Sequence, residues 1–166
     1  MRIAPLSVLF VGAVVLAQAP PEVVVPPMVD EKYGSAEQIM ALPPARLVAL
    51  LKDPGGSVYA KAKACQRLAV TGDRTATQAL AALLSHPELS HYARFALEPM
   101  RDPSADDALR AALNVVKGKL LVGIVNSIGL RRDAKAIGVL ARLRQDPDAD
   151  VARAAEVALA RIRPEP

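Results

Sequence analysis

LVALLKDPGGSVYAKAKACQRLAVTGD, residues 47–73, decides the fold. Leu47, Leu50 and Leu51 share one helical face and stop at Asp53-Pro54-Gly55-Gly56, where proline withholds a backbone donor and glycine accepts turn geometry. A second helical segment opens at Ser57 and runs to about Val70. Within it Val58, Ala62, Cys65 and Ala69 recur at i, i+4, i+7 and i+11, an apolar stripe of helical period widened by Leu68. Lys63, Gln66 and Arg67 fall on the other side. Gly72 ends the segment, and Asp73 begins the turn into a third helix, predicted over Thr75–Ser85 with Leu80, Leu83 and Leu84 inward.

The unit recurs on both sides of this stretch. LAALLSHPELSHYAR (80–94) repeats 47–61 at an offset of 33, so that Leu47, Leu50, Leu51, Pro54, Ser57, Tyr59 and Ala60 return as Leu80, Leu83, Leu84, Pro87, Ser90, Tyr92 and Ala93. LARLRQDPDADVARAA (140–155) repeats the order helix, Asp-Pro break, helix. Leu68, Leu97, Ile128 and Leu159 end successive segments at steps of 29, 31 and 31 residues. Asp73, Asp102 and Asp133 follow the first three by five residues, and Leu80, Leu109 and Leu140 follow seven later. A period near 30 carrying helical apolar stripes predicts an all-α chain, an α-solenoid of about four stacked helix pairs over residues 35–163. At its start Ser35 and Gln38 match a capping box, a short helix reaches Leu42, and Pro43-Pro44 opens a helix to Lys52. At its end Asp150–Ile162 reads as half a pair before the tail 164–166. Arg153, Glu156 and Arg161 supply part of a polar outer face, while Val151, Val157 and Ile162 are expected to leave apolar surface through which the chain could self-associate.

These units resemble HEAT repeats, in particular the short bacterial HEAT-like kind, which carry a Leu-Gly-x-x-Gly-Asp motif between paired helices. Leu68-Ala69-Val70-Thr71-Gly72-Asp73 is similar to it. Ile128-Gly129 to Asp133 follows it with Arg132 in place of the second glycine, whereas Leu97 to Asp102 keeps only the Leu and the Asp, with Pro99 shortening the helix. The resemblance covers about residues 36–163. It implies that Asp73, Asp102 and Asp133 are structural turn caps, and helix chemistry agrees, since an aspartate oxygen accepts from the free N–H groups of the following helix.

The N-terminus reads differently. Met1-Arg2, an apolar run from Ile3 to Leu16 and small residues at Ala17 and Ala19 form the three parts of a signal peptide, 1–17, or 1–19 by the second cleavage site. Fourteen apolar residues are short for a membrane span, which needs about 20; an uncleaved anchor is the other reading. Residues 18–34, QAPPEVVVPPMVDEKYG, form a Pro-rich linker of extended backbone. The mature chain is therefore expected to work outside the cytoplasm, in a periplasm or secreted, with no membrane span.

Few residues suggest chemistry. Cys65 is the only cysteine, and it sits inside an apolar stripe as a small hydrophobe. His86 and His91 are the only histidines. His86 occupies the place of Asp53 and Asp146 in other copies, and His91 that of Val58 and Val151. Asp146-Pro147-Asp148-Ala149-Asp150 resembles the start of a calcium loop, but Val151 stands where its glycine belongs and Val157 where its last glutamate belongs. Asp106 and Asp107 open a helix, and with Glu98 they make no persuasive acid–base set. Phosphate-loop, dinucleotide and nucleophile-elbow patterns are missing from the sequence. The reading is therefore no catalytic residue, no metal and no cofactor. The formal charge of +4, with signs intermixed and only 3% aromatic residues, gives no basis for nucleic-acid binding.

Counting outward from Leu80, Leu109 and Leu140 places a ladder of polar and small side chains on the second helices. Gln78, Asp107, Asn114, Lys135, Arg142 and Gln145 are the candidate interaction face. Lys117, Lys119, Arg131 and Arg132 are read as solvated turn charges. The functional expectation is a non-catalytic scaffold that binds a protein partner. The alternative is an accessory subunit of an extracytoplasmic redox or hydrolytic enzyme complex.

Overall fold

A computed structural model describes residues 28–162. The predicted signal peptide, residues 18–27 of the Pro-rich segment, and residues 163–166 lie outside it. The described chain is all-α, with no strand among the described residues. Nine helices follow one another: α1 (Ala36–Met40), α2 (Pro44–Lys52), α3 (Val58–Thr71), α4 (Arg74–Ala81), α5 (Ser90–Leu97), α6 (Ser104–Ala112), α7 (Gly118–Arg131), α8 (Ile137–Leu143) and α9 (Ala149–Ile162), with a 3-10 turn (Ala134–Ala136) before α8. The predicted helix over Thr75–Ser85 is regular only to Ala81. Its last turn tightens, with Leu83 N–H donating to Leu80 O and Leu84 N–H to Ala81 O, a common way for a helix end to satisfy its free carbonyls.

The helices pack in two rows. In one, α3 lies on α5, α5 on α7 and α7 on α9; in the other, α2 lies on α4 and α4 on α6. The pairs α2–α3, α4–α5, α6–α7 and α8–α9 join the rows, and α8 makes its main packing with α9. The leucines that set the sequence period meet between the rows: Leu68, Leu80, Leu97, Leu109, Ile128 and Leu140 have no exposed surface. Burying such a side chain stabilises by about 1.5–3 kcal/mol, so this spacing is what orders the helix packing.

The breaks between helices share one device. Asp53 Oδ1 accepts from Gly55 N–H, and Asp146 Oδ1 accepts from Asp148 N–H. His86, their counterpart, accepts at Nδ1 from both Glu88 and Leu89 N–H at 3.2 Å. The imidazole thus does the work of an aspartate in the turn.

Two glycines are explained by close approach. A Cβ at Gly72 would overlap the carbonyl oxygen of Leu68 and the methyl of Met100. One at Gly129 would stand 2.8 Å from Ala158 Cα, and Ala154, Ala155 and Ala158 keep α9 tight against α7. Arg132 follows the end of α7, and its φ is +54°, in the left-handed region. An arginine there carries a Cβ clash that glycine avoids. Arg132→Gly is therefore expected to raise stability by about 1 kcal/mol, read as a higher urea midpoint at unchanged slope.

The folded unit begins earlier than the predicted linker boundary at 34. Asp30 and Gly34 close a turn by mutual backbone bonds, and Asp30 is buried. Its Oδ1 accepts from Lys32 and Tyr33 N–H, and its Oδ2 from the Ser57 hydroxyl at the start of α3. Tyr33 OH and Lys32 Nζ both donate to Asp53 Oδ2 at 2.6 Å. The turn is pinned across the α2–α3 break by two carboxylates, a long-range link that local pattern reading does not see.

Both carboxyl groups titrate below their ordinary range. The Ser57 hydroxyl is the main cause for Asp30, and Lys32 followed by Tyr33 for Asp53. A carboxyl with a lowered folded pKa contributes stability that is fully present above its unfolded value, about 4, and is lost as pH falls through the folded one. The turn is therefore expected to stay closed at neutral pH and to loosen progressively below about pH 4. Amide exchange checks this: Lys32 and Tyr33 should lose protection at low pH before the leucine core does, and equal protection at pH 3 and pH 6 would refute it.

Candidate interaction surface

The repeat aspartates hold the turns that carry the second helices. Asp73 Oδ1 accepts from Thr75 N–H and Thr75 Oγ1, and both donors lower its pKa, the hydroxyl more. Asp102 stands one residue before the N-cap position of α6, which Pro103 occupies, and accepts from Ser104 N–H at 2.9 Å. Asp133 is buried. It caps the 3-10 turn through Lys135 N–H and pairs with Arg110 of α6, which also reaches Asp107.

All six candidate face residues are exposed. Gln78 lies on α4, Asp107 on α6 and Asn114 just beyond α6, so the packing of α4 on α6 brings these three to one side. Lys135 sits in the 3-10 turn, Arg142 on α8 and Gln145 past its end, and these go with α9 instead. Asp107 is not a free charge, because Arg110 holds it. Between the ends of α4 and α6 lies a shallow apolar cleft of about 180 Å³ whose walls include Leu84, Ala108, Ala111, Ala112 and Val115. Val115 is 70% exposed beside it. Ser85 also lines it, and the helical count does not find it, because the cleft depends on alanines that remove bulk rather than on a side chain that announces itself.

Two expectations are corrected. Val151 and Ile162 do not present apolar surface: α7 and α8 cover α9, both residues are buried, and of the three only Val157 is exposed, at 43%. Arg131 is not a solvated turn charge. Its side chain is 7% exposed. Its Nη1 donates to the carbonyls of Leu97, Glu98 and Met100, and its Nε to Asp106. Pro99 cuts α5 short, and the arginine from α7 caps the carbonyls thereby left open.

A second arginine does similar work. Arg94, where the preceding copy has Lys61, sends Nη1 to Gly123 O and Ser127 Oγ, and Ser127 donates to Glu98 Oε1. A Cβ at Gly123 would meet this guanidinium at 2.8 Å. Burial lowers the Arg94 pKa, and the charge of Glu98 acts against it. The spacing of α5 and α7 is therefore set by polar groups, unlike the alanine-lined contact of α7 with α9.

Cys65 is fully buried, and burial pushes its thiol up to about 12, so it stays protonated and unreactive. His91 is exposed and its ring lies 3.8 Å, centroid to centroid, from that of Tyr92. Among the described residues no group of three or more His, Cys, Asp or Glu could hold a metal ion, and no helix is long and apolar enough to cross a membrane. No protein-family model matches the chain, and no curated protein or solved structure matches it significantly.

Proposed function

We propose that this chain is a short α-solenoid of HEAT-like helix pairs that acts outside the cytoplasm as a non-catalytic scaffold for a protein partner. The observation that carries this is the division of labour among its polar residues. Asp30, Asp53, His86, Asp73, Asp102, Asp133, Arg94, Arg110 and Arg131 are all engaged in turns, caps or helix contacts. What remains outward on α4 and α6, beside an apolar cleft, is small and polar, and α8 adds polar side chains on a separate stretch of surface. Such a surface suits an extended segment of a partner, with cleft and backbone contacts giving affinity and scattered polar side chains giving selectivity.

Affinity capture from native extract, with the partner identified by mass spectrometry and its binding then measured with purified components, tests the reading. Gln78→Arg with Asn114→Arg should weaken binding at least tenfold, about 1.4 kcal/mol, and Arg142→Glu should do so where the partner extends onto α8. Wild-type affinity in all of these variants would remove the face from consideration.

A further inference from the structure

A second cleft, of about 320 Å³, lies between α7 and α9, away from the α4–α6 face. Lys119, Val122 and Asn126 form its α7 wall at i, i+3 and i+7, and Asp150, Arg153, Ala154 and Val157 form its α9 wall, with Asp148 at the approach. The 31-residue repeat sets Lys119 level with Asp150 and Asn126 level with Val157. Lys119 and the Asn126 amide take part in no hydrogen bond or ion pair among the described residues. Asp150 has only a loose pair with Arg153, at 3.8 Å and largely exposed. Phe95 on α5 and Leu130 on α7, each more than half exposed, add apolar surface to the same helix row.

A cleft with Lys119 on one side, Asp148 and Asp150 opposite it and Arg153 one turn further along is poorly matched to a partner of one sign. It is well matched to itself. In a two-fold contact the same patch occurs on both sides, so it must be its own complement. With the two-fold axis along the helices, α7 of each copy lies on α9 of the other, each Lys119 faces the opposing Asp148 and Asp150, and Val122, Ala154 and Val157 close the centre with the aliphatic stem of Arg153. We propose that this cleft is where a second copy of the chain docks, as a reversible two-fold dimer held by a small apolar centre and two flanking charge pairs. It is independent of the partner face on α4, α6 and α8.

Sedimentation velocity on the purified protein alone tests it. Wild type is expected to move reversibly from monomer to dimer as concentration rises to about 0.2 mM, with added salt weakening the dimer. Lys119→Asp and Asp150→Lys, each of which sets like charges against each other, should each raise the dissociation constant at least tenfold, about 1.4 kcal/mol, and Val157→Glu should do the same. The double variant Lys119→Asp/Asp150→Lys restores opposite signs across the contact and should bring the constant back toward wild type. All three positions are surface ones, so unchanged helical circular dichroism is the check on folding. A strict monomer at that concentration, a dimer indifferent to the single variants, or a double variant no better than the singles would each overturn the proposal.

Discussion

Arg131→Ala is expected to destabilise the chain by about 3 kcal/mol, lowering the melting temperature by about 10 °C. The arginine is almost fully enclosed, and three carbonyls and Asp106 depend on it. Removing one partner of a buried charged network leaves the others desolvated, which costs more than the contact was worth as a net gain. Leu97 O also accepts from Met100 N–H, but the carbonyls of Glu98 and Met100 are closed by Arg131 alone, because Pro99 prevents α5 from continuing. Arg131→Lys keeps the charge without the planar fork and should recover less than half of the loss. Thermal unfolding of both variants checks this. A loss under about 1 kcal/mol for the alanine variant would return Arg131 to the class of exposed turn charges.

Gly129→Leu is the second large effect expected, again about 3 kcal/mol. At this position even a methyl group has no room, since a Cβ would lie 2.8 Å from Ala158 Cα and 2.9 Å from its Cβ. Any side chain must push α9 away from α7, and α9 carries Val151, Ala155, Ala158 and Leu159 in the core. The smaller Gly129→Ala combines a gain in helix propensity of about 1 kcal/mol with the same clash, so its net loss should be near 1 kcal/mol. Hydrogen exchange distinguishes displacement from general softening: protection should fall along α9 and α7 while α2 and α3 keep theirs. Uniform loss along the chain would contradict a local clash.

The helices were legible because their signals are local. Apolar residues at helical spacing, Pro and Gly at the breaks, and an Asp at several turns place α1 to α4 and α9 within a few residues of where they stand. The same alignment accounts for His86, which accepts two backbone N–H groups just where Asp53 and Asp146 accept theirs. The misses all involve partners distant in sequence. Arg131 reads as a surface charge until the turn 31 residues earlier is laid against it, and Arg94 attracts no reading until Gly123 and Ser127 are. The Asp30 turn belongs to the fold only because Ser57 and Asp53 receive it. The expected exposure of Val151 and Ile162 failed for a related reason: both point inward onto α7 and α8, and period alone does not say which side of a last helix is covered. For the candidate face, exposure followed from the helical count, but the separation of Lys135, Arg142 and Gln145 from the α4–α6 side did not.

Site-specific photo-crosslinking tests the scaffold reading most directly. A crosslinking side chain is placed at Asn114, beside the cleft of α4 and α6, and in a control at Glu156, on the outer side of α9. Irradiation in the native compartment should join Asn114 to one defined protein and leave the Glu156 control without it. No adduct at Asn114, or the same adduct from both positions, would contradict a partner-binding role for this face.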